Sequence, residues 1–207
     1  MTIPLLALRQ MVRDRIGVPP HDEFFKDTVL DSNLNLAIAA IESEYRWPWS
    51  ERMETVTTDA DGEFDAPTNW RATRALVANG CDLLEIPIYD LTVKFKDVAM
   101  AQPTHYAVTN GRFRVRPITG AMELDHIYYV SPALLASDSD VPAIPVEHIG
   151  TLVAKAAQLC AIREDDRPSA DSHLGEYMQG LARMRKDVRG TTRPVRIRVR
   201  PGSWLGG

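Results

Sequence analysis

Residues 102–132, QPTHYAVTNGRFRVRPITGAMELDHIYYVSP, set the reading of the whole chain. Asn110-Gly111 is the residue pair that a two-residue type I′ turn requires, because both central positions take φ > 0 and only Gly or Asn does so at low cost. Val108 and Phe113 should therefore flank a hairpin. Tyr106, Val108, Phe113 and Val115 alternate with His105, Arg112, Arg114 and Arg116, which predicts one buried and one wet face. Thr119-Gly120 supplies a second turn, and Glu123 to Val130 should return as a third strand of the same meander.

Outward from this stretch, β texture reaches back to Glu54. The run ETVTT, the turn at Asp61-Gly62, a strand from Ala72 to Ala78, the turn at Asn79-Gly80 and a strand from Asp82 to Ile88 read as a small antiparallel unit. Asp90 is placed to cap a short helix carrying Leu91, Phe95 and Val98, with Pro103 limiting it.

Both flanks read as helical. Thr2 is placed to cap a first helix with Leu5, Leu8, Val12 and Ile16 on one face, ended by Gly17 and Pro19-Pro20. A second helix is expected from about Val29 to Tyr45, with Leu34, Ile38, Ile41 and Tyr45 inward, and Pro48 stops it. Trp47 and Trp49 bracket that proline, where their rings would seal the junction with the β part. Pro142 and Pro145 introduce a third long helix with Ile149, Val153, Ala156 and Cys160 inward. After the charged turn REDDRPSAD, the residues Leu174, Tyr177, Leu181, Met184 and Val188 keep three-four spacing and describe a seam. The expected fold is α+β: a four-helix bundle interrupted by a small antiparallel β insert, with an extended C-terminal arm. Its parts are 1–52 (first half of the bundle), 53–132 (insert), 133–190 (second half) and 191–207 (arm).

The chain of 207 residues is long enough for a substantial core. No apolar run has the length of a membrane span, and MTIPLLALRQMVRDRIG lacks a basic leader with a long apolar segment, so a cytosolic origin is expected. Cys81 and Cys160 accompany no CxxC and read as buried thiols rather than a disulfide or metal pair. The net charge of −4 is unevenly spread. Residues 191–207 carry four Arg and no acid, leaving 20 basic against 28 acidic side chains in the remainder.

Reactive constellations are weak. The five histidines show no HxH, HxxxH or HExxH spacing, the serines lack a GxSxG context, and there is no P-loop or GxGxxG. Asp82, Glu85 and Asp90 near Lys94 and Lys96 would be the carboxylates and lysine of a metal-dependent nuclease, but their order and spacing fit a solvated turn-and-helix face better. No catalytic residue, cofactor or metal site is expected.

The tail TTRPVRIRVRPGSWLGG stands apart. Val195, Ile197 and Val199 alternate with Arg196, Arg198 and Arg200, so an extended strand would be apolar on one face and cationic on the other. Ordering about 17 residues costs roughly 20 kcal/mol or more in backbone entropy. Burying Val195, Ile197, Val199, Trp204 and Leu205 returns only about 1.5 to 3 kcal/mol each. Such a segment gains order by adding to a sheet edge: that of a partner, or that of its own β unit.

Taken in order, these parts resemble the head-to-tail adaptor (connector) proteins of tailed bacteriophages. The residues that carry the likeness are LNLAIAAIESEYRWPW at 34–49, the P-x-x-Y-x-V-x-N-G-R-F-R-V-R-P hairpin at 103–117, IYYVSPALL at 127–135, the DxDxPxIP loop at 138–145 and the helical IGTLVAKAA at 149–157. The resemblance implies a non-enzymatic virion protein, made in the host bacterial cytoplasm and located at the head-tail interface. It implies a ring, commonly of twelve copies, beneath the portal protein, extending the DNA channel and offering the attachment surface for tail, stopper or nozzle proteins. Genomic DNA would pass without sequence-specific contact, and an acidic body suits such a channel because like charge keeps phosphates from sticking. The arm residues Val195, Arg196, Ile197, Arg198, Val199, Arg200, Trp204 and Leu205 would bind the portal or a neighbouring subunit. Rival readings are a tail-completion or tail-terminator ring protein, a phage-encoded metal-dependent nuclease and a monomeric nucleic-acid-binding module.

Overall fold

The computed structural model describes residues 2–20, 22–95, 98, 102–117 and 120–191. Helix α1 (Leu5–Ile16) begins after Pro4, not at a Thr2 cap. Its first amides are met from a distant loop: Leu5 N–H donates to the Asp140 carbonyl at 2.8 Å and Leu6 N–H to that of Asp138 at 3.1 Å. Gly17, at φ 74°, ends the helix in the left-handed conformation that favours glycine. Helix α2 (Asp27–Glu44) buries Leu30, Leu34, Ala37, Ile38 and Ile41.

Two further helices, α4 (Ile149–Arg163) and α5 (Arg167–Thr191), follow the β region. Helix α4 is the hub, packed against α1, α2 and α5, and its expected stripe of Ile149, Val153, Ala156 and Cys160 is buried. Along α5, Tyr177, Leu181, Met184 and Val188 enter the same core, whereas Leu174 remains 37% exposed. The stretch REDDRPSAD is only half a turn region: Asp166 accepts the Ser169 amide, and Arg167-Pro168 already opens α5.

The DxDxPxIP loop is a structural clamp. The Asp140 carboxylate accepts the Ala136 and Ser137 amides, both at 2.8 Å. Arg9 is 6% exposed; it makes two bonds to Asp31 at 2.6 and 2.9 Å and one to Asp138 at 2.6 Å. The side chain of Asn35 both donates to and accepts from the Leu135 backbone. The chain leaving the β region is thereby fastened to α1 and α2.

The β region corrects the expected fold. The described residues form five α-helices and two four-stranded sheets, not a four-helix bundle with a small insert. One sheet has the order β1 (Glu51–Thr57), β8 (Glu123–Val130), β3 (Trp70–Ala78), β4 (Cys81–Asp82). The other has the order β2 (Glu63–Asp65), β7 (Arg112–Arg116), β6 (His105–Thr109), β5 (Leu84–Glu85). The hairpin at Asn110-Gly111 forms with Val108 opposite Phe113 and Tyr106 opposite Val115, both turn residues having positive φ. The third strand of the meander does not join it. The far side of β7 is taken by β2, whose Phe64 stacks on Phe113 with ring centroids 4.7 Å apart. Strand β8 therefore crosses to the other sheet, between β1 and β3.

The strand expected over Asp82 to Ile88 also divides. Cys81–Asp82 closes a hairpin on β3, Leu83 is buried at the crossing, and Leu84–Glu85 pairs in parallel with β6. Ile88 then opens the fifth helix, α3 (Ile88–Lys94), which starts at Pro87 rather than at an Asp90 cap and buries Leu91. The sheets share a core of Phe64, Leu76, Ala78, Leu83, Tyr106, Phe113, Val115 and Leu124, separate from the helical core around Leu34, Leu152 and Met184.

Candidate assembly interface

The aromatic bracket of Pro48 packs on the helical core just before β1 begins. Trp47 is fully buried, stacks on Trp49 with centroids 4.8 Å apart, and donates its indole N–H to the Ile41 carbonyl at 2.7 Å. Trp49 donates to Oε1 of Glu42 at 2.8 Å. Arg71 of β3 donates to the Glu42 carbonyl at 2.7 Å and lies 3.5 Å from Oε2. Burial pushes the Glu42 carboxyl up from its ordinary pKa, against the opposing pull of Trp49 and Arg71. An open recess of about 580 Å³ lies alongside, lined by Glu42, Glu44, Arg46, Arg71 and Tyr129 among others.

The acidic residues read from the sequence as a nuclease alternative do not converge. Asp82 lies on β4 and Glu85 on β5, in different sheets. Glu85 accepts the Tyr106 hydroxyl at 3.2 Å, and Asp90 pairs with Lys94 one helical turn on. Lys96 lies outside the described residues. Among the described residues, no three His, Cys, Asp or Glu side chains form a group able to hold a metal ion. Cys160 is buried as expected, but Cys81 is exposed because it sits on a two-residue edge strand. Of the histidines, His126 is fully buried among Phe64, Phe113 and Tyr128. Its Nε2 lies 3.1 Å from the Thr73 hydroxyl, and desolvation pushes its pKa down to about 4. It is a neutral core residue.

What the fold leaves open is a sheet edge. Among the described residues, the edge strands β2, β4 and β5 have only two or three residues, whereas the edge strand β1 has seven. Thr58 N–H donates to Met122 on the β8 side at 2.9 Å. By strand alternation Arg52, Glu54 and Val56 also face β8, so Met53, Thr55 and Thr57 present their amides and carbonyls outward. Arg52 covers only the start of this edge, donating to the carbonyls of Trp49 and Glu51. The run ETVTT is thus the end of a sheet, which its own residues do not reveal; the strand order that makes it an edge depends on β8 and is not local.

The arm residues Val195, Arg196, Ile197, Arg198, Val199, Arg200, Trp204 and Leu205 lie outside the described residues, which end at Thr191. The helix leading to them does have a place: Arg185 of α5 bonds the Glu44 carboxylate at 2.8 Å, beside the recess at the junction.

A family model described as SU10 adaptor protein matches residues 3–199. The chain belongs to the SU10 adaptor protein family. The match takes in both cores of this adaptor-family chain, the clamp loop and the first part of the tail. A comparison with curated proteins gives no match. Among the described residues, no helix is long and apolar enough to cross a membrane.

Proposed function

We propose that this chain is a head-to-tail adaptor of a tailed bacteriophage, a structural protein of the virion rather than an enzyme. It assembles as a ring, twelve copies being the expected number, beneath the portal protein. There it extends the DNA channel and offers the surface to which tail, stopper or nozzle proteins attach. The observation that carries this reading is the adaptor family match over nearly the whole chain. The scattered placement of Asp82, Glu85 and Asp90 supports the non-enzymatic part. In this reading the helical parts 1–52 and 133–190 form one body, 53–132 projects from it, and residues 191–207 dock on the portal or on a neighbouring subunit through Val195 to Arg200, Trp204 and Leu205.

Native mass spectrometry of the full chain, alone and mixed with the cognate portal, tests it. The chain is expected to be monomeric or weakly associated alone and to form a ring with the portal. A stable dimer indifferent to the portal refutes the adaptor reading. Removing residues 191–207 is expected to leave the helical circular dichroism and the melting temperature nearly unchanged and to abolish portal binding. Mg²⁺-, Mn²⁺- or Zn²⁺-dependent DNA cleavage that disappears on substituting Asp82 or Glu85 refutes the non-enzymatic part.

A further inference from the structure

We propose that the open edge of β1 receives the Val195–Arg200 stretch of a neighbouring copy, so that adjacent subunits are joined by a shared β-sheet. The inference rests on the ring assembly proposed above and names the contact that would close it.

The edge has the geometry for strand addition. Met53, Thr55 and Thr57 turn their backbone groups away from β8, and among the described residues no strand pairs with them. Met53 is 65% exposed and Thr55 and Thr57 are exposed, so nothing described covers the approach. A long unpaired edge carrying one exposed apolar residue is a template for another strand.

One face of that edge complements the cationic side of the tail. Because cross-strand neighbours share a face, Met53, Thr55 and Thr57 lie with Ile127, Asp125 and Glu123, and Glu51 lies beside them. This outer face therefore carries three carboxylates, of which Glu51 is engaged by Arg74 while Asp125 accepts the Thr55 hydroxyl. The opposite face carries Arg52, Glu54 and Val56, of which Val56 packs against the β core with Leu124 beyond it and Glu54 accepts the Tyr128 hydroxyl. A strand laid along β1 with Val195, Ile197 and Val199 on this face brings one of them beside Val56. The same placement sets Arg196, Arg198 and Arg200 beside the acidic side.

A neighbouring copy, rather than the same chain, is the better source. Arg185 meets Glu44, and the recess that Glu44 lines is also lined by Arg71 and Ala72 of β3. Helix α5 thus reaches the junction on the β3 side of β8, whereas the open edge lies on the other side of β8.

The test uses full-length chains in a Cys81→Ser background, which leaves the buried Cys160 as the one native thiol. Thr55→Cys chains are mixed with Arg198→Cys chains under assembly conditions with the portal and treated with a short bismaleimide. A covalent heterodimer of the two variants is expected. Thr55→Pro removes an outward amide and the exposed hydroxyl bonded to Asp125 but keeps the β8 ladder, so it should stay folded by circular dichroism yet weaken ring assembly about tenfold or more, whereas Thr55→Val, which lacks the hydroxyl but keeps the amide, should assemble. An intramolecular link in the doubly substituted chain, without the heterodimer, overturns the exchange, as does a link from Arg198→Cys to the portal alone. Rings that form without the link and tolerate Thr55→Pro also overturn it while leaving the adaptor reading intact. A chain that never forms rings with the portal refutes both.

Discussion

His126 should make the β part acid-sensitive in a defined window. Its ring is fully buried against Phe64, Phe113 and Tyr128, with one polar neighbour at Thr73. Desolvation lowers its pKa from 6.5 to about 4. Between those values the unfolded chain binds a proton that the native state does not, so stability rises with pH across the window and falls as the pH drops from 6.5 toward 4. At about 1.4 kcal/mol per pH unit, the loss attributable to this one group is about 3 kcal/mol by pH 4, with no further contribution below that. Urea unfolding of the wild type and of His126→Gln across this range isolates the effect, because every other titration is common to both. The variant should be less stable at neutral pH, where it gives up packing, and its stability should fall less steeply below pH 6.5. An NMR titration of the His126 ring reports the same pKa directly. A ring that titrates near 6.5, or a wild-type-minus-variant difference that is constant with pH, refutes the reasoning.

Arg9→Ala removes the clamp between α1, Asp31 and the Asp138 loop. It is expected to cost about 3 kcal/mol, the lower end for a broken buried pair because Asp138 is largely exposed, and chemical denaturation measures it. Two glycines of α5 should respond with opposite signs. A Cβ at Gly180 would press into the Thr151 side chain, with Cγ2 at 2.9 Å and Cβ at 3.0 Å, so Gly180→Ala should destabilise by about 1 to 3 kcal/mol. Gly175 has open space around it, and Gly175→Ala should stabilise by about 0.5 to 1 kcal/mol. Thermal melts of the two variants compare them, and equal shifts would contradict the close approach of α5 to α4.

The sequence alone determined what depends on neighbours along the chain. The Asn110-Gly111 hairpin and its register follow from backbone conformations open to few residues. The inward stripes of α2 and α4 follow from helical periodicity. The tryptophan bracket at Pro48 and the family itself were legible for the same reason, since a motif is a local pattern. Tertiary structure decided the rest. Alternation marks which face of β8 is buried but not which strand it joins, and β8 left the meander because β2 had taken the free side of β7. Arg9 is buried because Asp31 and Asp138, far from it in sequence, close around it, a contact that helical spacing does not reveal. The open edge of β1 is of the same kind: a strand is an edge only by virtue of the order of its sheet, and that order is set by contacts between residues that sequence spacing does not bring together.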